Sequence, residues 1–388
     1  MSILKRPPGD LFTFRLFFKL TSNIKIPHDK IYLWATTLNP HYQYGDWNND
    51  GEWVLQTADD YRNLLENSIK SNLVVIGLKD HLTSVVFGKQ NTVPDIVEYL
   101  IKLLQDHRDK KFIILTSVED LGTYLKTPNV SIIPWGGDIT NHQKEYKIVS
   151  PILEKNLDSS RTFLSLNRNR RTHRAMSLSL LHQLGYQKHG LISCMFKESI
   201  TDVMEYTNWE VSNPDLYSNG WNELLTSTDL LTDSIDIYKN QDNDNVSNFK
   251  NKLSNYYKET FVEIINETSY TEKCYNLTEK TLNSIYGCCF PILLCSKGSV
   301  AFLRSMGLDM FDDIIDHGYD MIDDPAERLE YAITQNKVLL TNNTRTKALW
   351  IENKARFENN VDFCRERLYN YYSDRARTMF HEVISNEL

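Results

Sequence analysis

The sequence lacks several features that mark whole classes of protein. Glycine and proline are scarce, at 15 and 11 of 388 residues, which excludes collagen-like and low-complexity architectures. The longest apolar run, Cys288–Cys295, has the length of a strand and falls far short of the roughly 18 residues of a membrane helix. The first 20 residues mix lysines and arginines with apolar residues, so we expect no signal peptide. These absences favour a soluble protein of the cytoplasm.

An excess of positive charge is also missing. The formal net charge is −8, which argues against a protein that binds polyanions through many surface lysines and arginines. The six cysteines show no C-x-x-C spacing, and three of them lie in one apolar run. We therefore expect buried free thiols in a reducing compartment rather than disulfides.

The length predicts two domains, at roughly 150 residues per domain. In the first 150 residues, strand-like apolar runs alternate with helical patterns, which indicates a parallel sheet wrapped by helices. The predicted strands are Lys30–Thr36, Asn72–Gly77, Lys111–Thr116 and Val130–Trp135, and the predicted helices are Asp59–Ser71, Val93–Asp106 and Val118–Lys126.

The same pattern restarts near Ser150. The predicted strands here are Arg161–Leu166, Gly190–Phe196, Phe261–Ile265 and Phe290–Cys295. The predicted helices are Thr172–Leu184, Phe249–Tyr257, Glu279–Tyr286, Ser299–Met306 and Asp324–Gln335. We predict an α/β protein with an N-terminal domain over 1–150, a second domain over 151–344 that carries a polar insertion near 202–247, and a helical tail over 345–388 that packs back. Ligands of open α/β sheets bind at the carboxyl ends of the strands, so functional residues are expected just after strands.

One basic segment meets that criterion. Arg168, Arg170, Arg171 and Arg174 follow a predicted strand and stand at the start of a predicted helix, with no acidic residue among them. Cations are unfavourable at a helix N-terminus unless an anion is present, and a diphosphate would supply that anion. The alternative is a solvated basic turn paired with acidic neighbours.

A second candidate site follows the strand Phe261–Ile265. Glu267 and Thr268 end that strand, and Thr278 is a good helix N-cap. In the first turn of the helix, Glu279 can accept both hydroxyls of a ribose and Lys280 can reach a phosphate. The alternative is that Thr278 only caps the helix and Glu279 only suits its dipole.

These segments resemble a known family. Tyr275-Asn276-Leu277-Thr278-Glu279-Lys280, followed by Gly287 and Pro291, is similar to the nucleotide-binding motif of α1,3-fucosyltransferases. Asn167, with Arg171 and Arg174, resembles the strand, polar turn and phosphate-binding arginine of that family. The whole chain looks like phage-encoded glycosyltransferases with two Rossmann-like domains facing a cleft, the GT-B architecture. The resemblance covers roughly the second half of the chain.

The resemblance implies a nucleotide-sugar glycosyltransferase. Glu279 would bind the ribose, and Lys280 with Arg171 or Arg174 the diphosphate of a UDP-sugar or other NDP-sugar donor. Because these cations can stabilise the leaving group, we expect no metal or other cofactor to be required. The motif Asp242-Asn243-Asp244 is interpreted as a solvated loop. For the base that deprotonates the acceptor, the candidates are Asp80 and His81 after the second predicted strand and Asp138 after Gly136-Gly137.

The expected acceptor is a hydroxylated or hydroxymethylated pyrimidine of phage DNA, and the enzyme would then act in the host cytoplasm. Basic residues over 345–356 and 365–377 could line a groove for that DNA. A glycan acceptor, as for fucosyltransferases, and a non-enzymatic nucleotide- or nucleic-acid-binding protein remain as alternatives. The sequence specifies neither the sugar nor the oligomeric state.

Overall fold

The computed structural model describes residues 31–37, 45–47, 53–55, 73–79, 108–116, 128–134, 146–167, 171–194, 217, 220–224, 249–268, 270 and 277–387. The chain divides into two compact units. The first comprises residues Met1–Gly137, Glu272–Asn276 and Asn370–Leu388, and the second comprises Asp138–Thr271 and Leu277–Tyr369.

The first unit contains a parallel sheet of the order β1-β4-β5-β6 and an antiparallel β2-β3 hairpin. The strands are β1 Ile31–Thr37, β2 Gly45–Trp47, β3 Trp53–Leu55, β4 Leu73–Lys79, β5 Lys111–Thr116 and β6 Val130–Pro134. The four parallel strands match the predicted ones to within two residues at each end. The short hairpin was not predicted, and the three helices predicted for this region lie outside the described residues.

The second unit contains a parallel sheet of the order β10-β9-β7-β8. Its strands are β7 Phe163–Asn167, β8 Gly190–Cys194, β9 Val262–Asn266 and β10 Phe290–Leu294. Every residue of β9 and β10 is buried, as expected of parallel strands covered on both faces. The chain is therefore a mixed α/β protein with parallel sheets.

Four of the five helices predicted for this region begin within one residue of the predicted start, and the fifth, predicted as Phe249–Tyr257, is a π-helical turn followed by a short α-helix. The described helices are α1 Thr172–Gln183, α2 Ser254–Glu259, α3 Glu279–Tyr286, α4 Ser299–Met306, α5 Pro325–Gln335, α6 Lys337–Thr341, α7 Asn343–Glu352, α8 Lys354–Glu366 and α9 Leu368–Glu387. Asp324 caps α5 by accepting from Glu327 N at 2.8 Å. A π-helical turn, Phe249–Leu253, precedes α2, and of the polar insertion only residues 217 and 220–224 are described.

The connections of this sheet change direction between β7 and β9. After β7 the chain runs through α1 to β8 on one side, and after β9 it runs through α3 to β10 on the other. Backbone pairing between β7 and β9 is confined to Phe163↔Val262 and Leu164↔Glu263. The carboxyl halves of the two strands are therefore not paired through their backbones, and this place is the topological switch point of the sheet, where open α/β sheets bind their ligands in a crevice. We call it the β7–β9 crevice.

Two further expectations concern cysteine and the membrane. Cys194, Cys288, Cys289, Cys295 and Cys364 are free and buried, as predicted, and Cys274 lies outside the described residues. Among the described residues, no helix has the length and apolarity needed to cross a membrane.

Candidate functional site

The floor of the β7–β9 crevice is a layer of buried polar side chains. Asn266 Nδ2 donates to Ser165 Oγ at 3.3 Å, and Ser177 Oγ on α1 donates to Asn266 Oδ1 at 3.3 Å. Asn167 Nδ2 donates to Ser165 Oγ at 3.1 Å, and all four side chains are at most 1% exposed. These side-chain bonds link β7, β9 and α1 where the backbone pairing of the two strands has ended.

The first turn of α1 is fastened across the crevice to the end of β9. His173 Nε2 lies 2.9 Å from the carbonyl oxygen of Glu267, and a guanidinium nitrogen of Arg174 lies 3.2 Å from the carbonyl oxygen of Asn266. The same Arg174 nitrogen is 3.3 Å from the Glu267 carbonyl oxygen. Because a carbonyl only accepts, His173 carries a proton on Nε2.

Glu267 joins β9 to the start of α3 through its carboxylate. Oε1 accepts from Thr278 N at 3.0 Å and from Thr281 Oγ1 at 2.6 Å, while Oε2 accepts from Thr278 Oγ1 at 2.7 Å. The side chain is fully buried. With both oxygen atoms occupied by α3, Glu267 positions that helix and has little capacity left for a ligand.

Lys280 lies next to the hydrogen bonds that join Glu267 to the start of α3. Its ammonium lies 3.0 Å from Thr278 Oγ1 and 3.4 Å from Thr268 Oγ1, and it forms an ion pair with Glu279 at 3.0 Å. The Lys280 and Glu279 side chains are 24% and 28% exposed, so both can be reached from solvent. Thr278 caps α3 by accepting from Lys280 N, as predicted.

The pKa of His173 shows which charges act near this ring. Burial lowers the pKa of His173 well below its ordinary value, and the nearby charges of Arg174, Arg171 and Lys280 lower it further. All of these cations therefore act on one ring. The two candidate sites recognised in the sequence meet at Glu267 in the second unit: Arg174 bonds to its carbonyl oxygen at 3.3 Å, and Lys280 lies 3.9 Å from its carboxylate.

The helix N-termini at this edge of the sheet differ in what occupies them. At α4, Asp320 accepts from Val300 N at 3.1 Å and from Ala301 N at 2.9 Å. At α1, the first turn, which the structure describes in full, contains no acidic residue, and its N-cap residue Arg171 makes no side-chain capping bond. The first turns of both helices lack an acidic residue, but at α4 the carboxylate of Asp320, from a later segment, offsets the dipole.

Several predicted site residues cannot be placed. Arg168 of the arginine segment and the candidate bases Asp80, His81 and Asp138 lie outside the described residues. Their sequence positions relative to strands are known, since β4 ends at Lys79 and β7 ends at Asn167. Asn167, Arg171, Arg174, Glu267, Thr268, Thr278, Glu279 and Lys280 all lie at the carboxyl edge of the second unit's sheet or on the helices that start there.

Sequence reasoning missed two residues of this edge. His173 was not among the predicted site residues, yet it contacts the same Glu267 carbonyl oxygen as Arg174. Asp320 was not singled out, although its carboxylate occupies the N-terminus of α4. The signal for His173 was its place inside the arginine segment, whereas nothing local distinguishes Asp320 from the other aspartates around it.

Two of the basic residues near the C-terminus are used within the chain. Arg356 bonds to Asp309 at 2.6 Å and to Asp313 at 2.9 Å, and Arg365 donates to the carbonyl oxygen of Val149 at 2.6 Å. Guanidinium groups that are already bonded to carboxylates and carbonyls are poorly available to phosphates. Arg356 and Arg365 of α8 are therefore poorly placed to line the expected DNA groove.

Within the described residues, no group of three or more His, Cys, Asp or Glu side chains could hold a metal ion. Comparison of the chain with protein-family models, with curated proteins and with solved structures found no match.

Proposed function

We propose that the chain is a glycosyltransferase that binds a nucleotide-diphosphate sugar in the β7–β9 crevice of its second unit. The observation that carries this proposal is that His173, Arg174 and Lys280 all contact Glu267 at the topological switch point, with Arg171 at the N-cap of α1. Cations concentrated at a helix N-terminus that lacks an acid of its own are suited to a bound polyphosphate. The similarity of Thr278-Glu279-Lys280 to the fucosyltransferase motif supports the same donor class.

Each residue of the crevice has a definite task in this proposal. Arg171 and Lys280 hold the diphosphate, and Glu279 accepts hydrogen bonds from the ribose hydroxyls. Arg174 is 2% exposed and bonded to two carbonyl oxygens, so it positions α1 while adding its charge to the site. Glu267 and Thr278 hold the first turn of α3, and thereby Lys280, in place.

In this proposal, these residues stabilise the leaving group. When the glycosidic bond to the donor breaks, negative charge builds up on the departing diphosphate. Preorganised guanidinium and ammonium groups neutralise that charge, and the proposal requires no metal for this step. A base, for which Asp80, Asp138 and His81 are the candidates, takes the proton of the attacking hydroxyl.

The finer architecture and the acceptor are part of the same proposal. The two units would be Rossmann-like domains of the GT-B type, with the first unit choosing the acceptor. We propose a hydroxylated or hydroxymethylated pyrimidine of DNA as that acceptor, on the resemblance to phage glycosyltransferases. Such an enzyme must reach a base within a nucleic acid, which commonly involves extruding it from the stack.

Donor binding is the first test. The full chain is screened by thermal shift with UDP-glucose, GDP-mannose and dTDP-glucose, and the affinity of any binder is measured by titration calorimetry. Arg171→Ala and Lys280→Ala should each weaken binding by about 1–3 kcal/mol, the scale of a lost charge-assisted hydrogen bond.

Matched controls are available on the same unit. Arg161 donates to the carbonyl oxygens of Lys188 and Gly190 at the amino end of the sheet, and Lys297 pairs with exposed Asp323. Arg161→Ala and Lys297→Ala should leave the affinity unchanged. Equal affinities for all four variants would remove the site assignment, and failure of every donor to bind would remove the proposed function.

Transfer is the second test. The donor that binds is incubated with DNA containing 5-hydroxymethylated pyrimidines, with unmodified DNA and with oligosaccharides, and the products are read by mass spectrometry. Transfer to the modified DNA alone supports the proposed acceptor, and transfer to oligosaccharides alone replaces it with a glycan. Tight donor binding without transfer or donor hydrolysis would identify a non-enzymatic nucleotide-binding protein.

A further inference from the structure

The ring of His173 is held in place through its Nε2 nitrogen. Nε2 donates to the Glu267 carbonyl oxygen at 2.9 Å, and the ring stacks on Tyr270 with centroids 4.9 Å apart and planes inclined by 20°. The hydrogen bond described for this ring uses Nε2 and not Nδ1. In the neutral ring, Nδ1 carries a lone pair and can only accept.

The charges around this ring come from every element packed against it. They are Arg171 and Arg174 from α1 itself, Glu267 after β9 with its carboxylate turned to α3, Lys280 and Glu279 from α3, and Arg328 from α5 on the face of Tyr270. Burial and the neighbouring cations lower the pKa of His173 well below its ordinary value, which favours the neutral ring in the absence of a ligand. An anion placed among the same cations would act on the ring in the opposite direction.

We propose that His173 takes up a proton when a polyphosphate binds in the β7–β9 crevice, and that its Nδ1–H then donates a hydrogen bond to a phosphate oxygen. The inference rests on the proposed function, because it requires a diphosphate among Arg171, Arg174 and Lys280. A neutral Nδ1 would present a lone pair to an anionic oxygen, whereas the protonated ring presents a donor. The proton comes from solvent and stays on the ring while the diphosphate is bound.

Proton uptake can be measured directly. A diphosphate diester has no titratable phosphate near neutral pH, so we choose whichever of UDP-glucose, GDP-mannose or dTDP-glucose binds as the probe. Its binding enthalpy is measured at pH 7.5 in PIPES and in Tris, which differ in ionisation enthalpy. For the wild type we expect uptake of up to one proton, and an affinity that weakens by up to about tenfold per pH unit at higher pH.

The deciding variant is His173→Gln, whose amide nitrogen can keep the bond to the Glu267 carbonyl. It should bind the probe with no proton uptake and with an affinity independent of pH. The matched control is His182→Gln, on the same helix about 13 Å farther along and 3.2 Å from the Glu223 carboxylate, and it should retain the uptake.

The outcomes separate the two proposals. Binding without proton uptake in the wild type, or equal uptake in His173→Gln, overturns this inference and leaves the proposed function standing. Absence of binding by every probe overturns both. If His173→Gln does not fold, ¹⁵N NMR of the wild-type imidazole decides: the probe should convert Nδ1 from a lone-pair nitrogen to a protonated one, and an unchanged Nδ1 signal in the bound protein contradicts the inference.

Discussion

Glu267 and Thr278 are joined twice, through the Thr278 backbone amide at 3.0 Å and the Thr278 hydroxyl at 2.7 Å. The first residue after β9 is thereby fixed to the N-cap of α3, eleven positions later in the chain. Lys280, two residues into the helix region, is placed over the crevice by this joint. The buried carboxylate of Glu267 thus positions Lys280, the residue proposed to bind a phosphate. Glu267 does not itself have to contact the phosphate.

This joint can be tested at Thr281, whose hydroxyl donates to Glu267 at 2.6 Å. Thr281→Val removes that donor within a buried site and should lower the free energy of unfolding by about 1–2 kcal/mol. Thr281→Ser keeps the hydroxyl and serves as the control, with a smaller loss. Chemical denaturation measures both, and equal losses for Val and Ser would mean that the hydroxyl contributes nothing to the joint.

The buried carboxyl group of Glu263 should make the stability of the protein depend on pH. Burial raises the pKa of this β9 carboxyl to about 8, although the hydroxyl of Tyr257 donates to it at 2.9 Å. Because the folded pKa exceeds the ordinary value of 4.5, the stabilisation is full below pH 4.5 and is lost as the pH rises through about 8. The loss amounts to roughly 1.4 kcal/mol per pH unit within that window.

The variant Glu263→Gln cannot ionise and keeps the shape of the side chain. Denaturation at several pH values should show that the difference in stability between variant and wild type grows in favour of the variant from pH 5 to pH 8. A difference that does not change with pH would show that Glu263 titrates normally in the folded protein.

Lys155 ties together three backbone carbonyls at the amino edge of the sheet. Its ammonium donates to Tyr257 O at 2.9 Å, to Thr260 O at 2.7 Å and to Gly287 O at 2.7 Å. Lys155→Met fills similar space but leaves these acceptors unpaired, and it should cost about 1–3 kcal/mol of stability. Lys347→Met, which removes a single exposed bond to a carbonyl, is the control. Equal losses for the two lysines would contradict a special role for Lys155.

Gly287 has no room for a side chain. A Cβ at this position would lie 2.3 Å from Cδ1 of Tyr257, a fully buried ring, while the backbone φ of −71° suits any residue. Gly287→Ala should therefore destabilise the protein by about 1–3 kcal/mol through overpacking alone.

The control is Gly185→Ala, where φ is +68° and no atom lies within 4 Å of the added carbon. That change should cost only the backbone penalty of about 1–2 kcal/mol. Because Tyr257 donates to Glu263, Gly287→Ala should also alter the pH dependence of stability, whereas Gly185→Ala should not. Thermal unfolding at pH 5 and pH 8 distinguishes these outcomes.

Most element positions were predictable because their causes are local. The apolar runs that form β5 and β10 and the Thr278 cap of α3 depend on residues adjacent in sequence. The short hairpin of β2 and β3 was not predicted, since three-residue strands carry too little pattern.

For the candidate site as well, part could be predicted from the sequence and part could not. The sequence alone determined that cations precede α1, that Thr278, Glu279 and Lys280 open α3, and that both segments follow strands. Only the tertiary structure decided that these segments share one crevice, because sheet order is set by packing between strands that lie about a hundred residues apart. It also decided that Glu267 serves α3 and that His173 lies among the cations, since burial and charge at a side chain depend on neighbours that the chain brings together only when it folds.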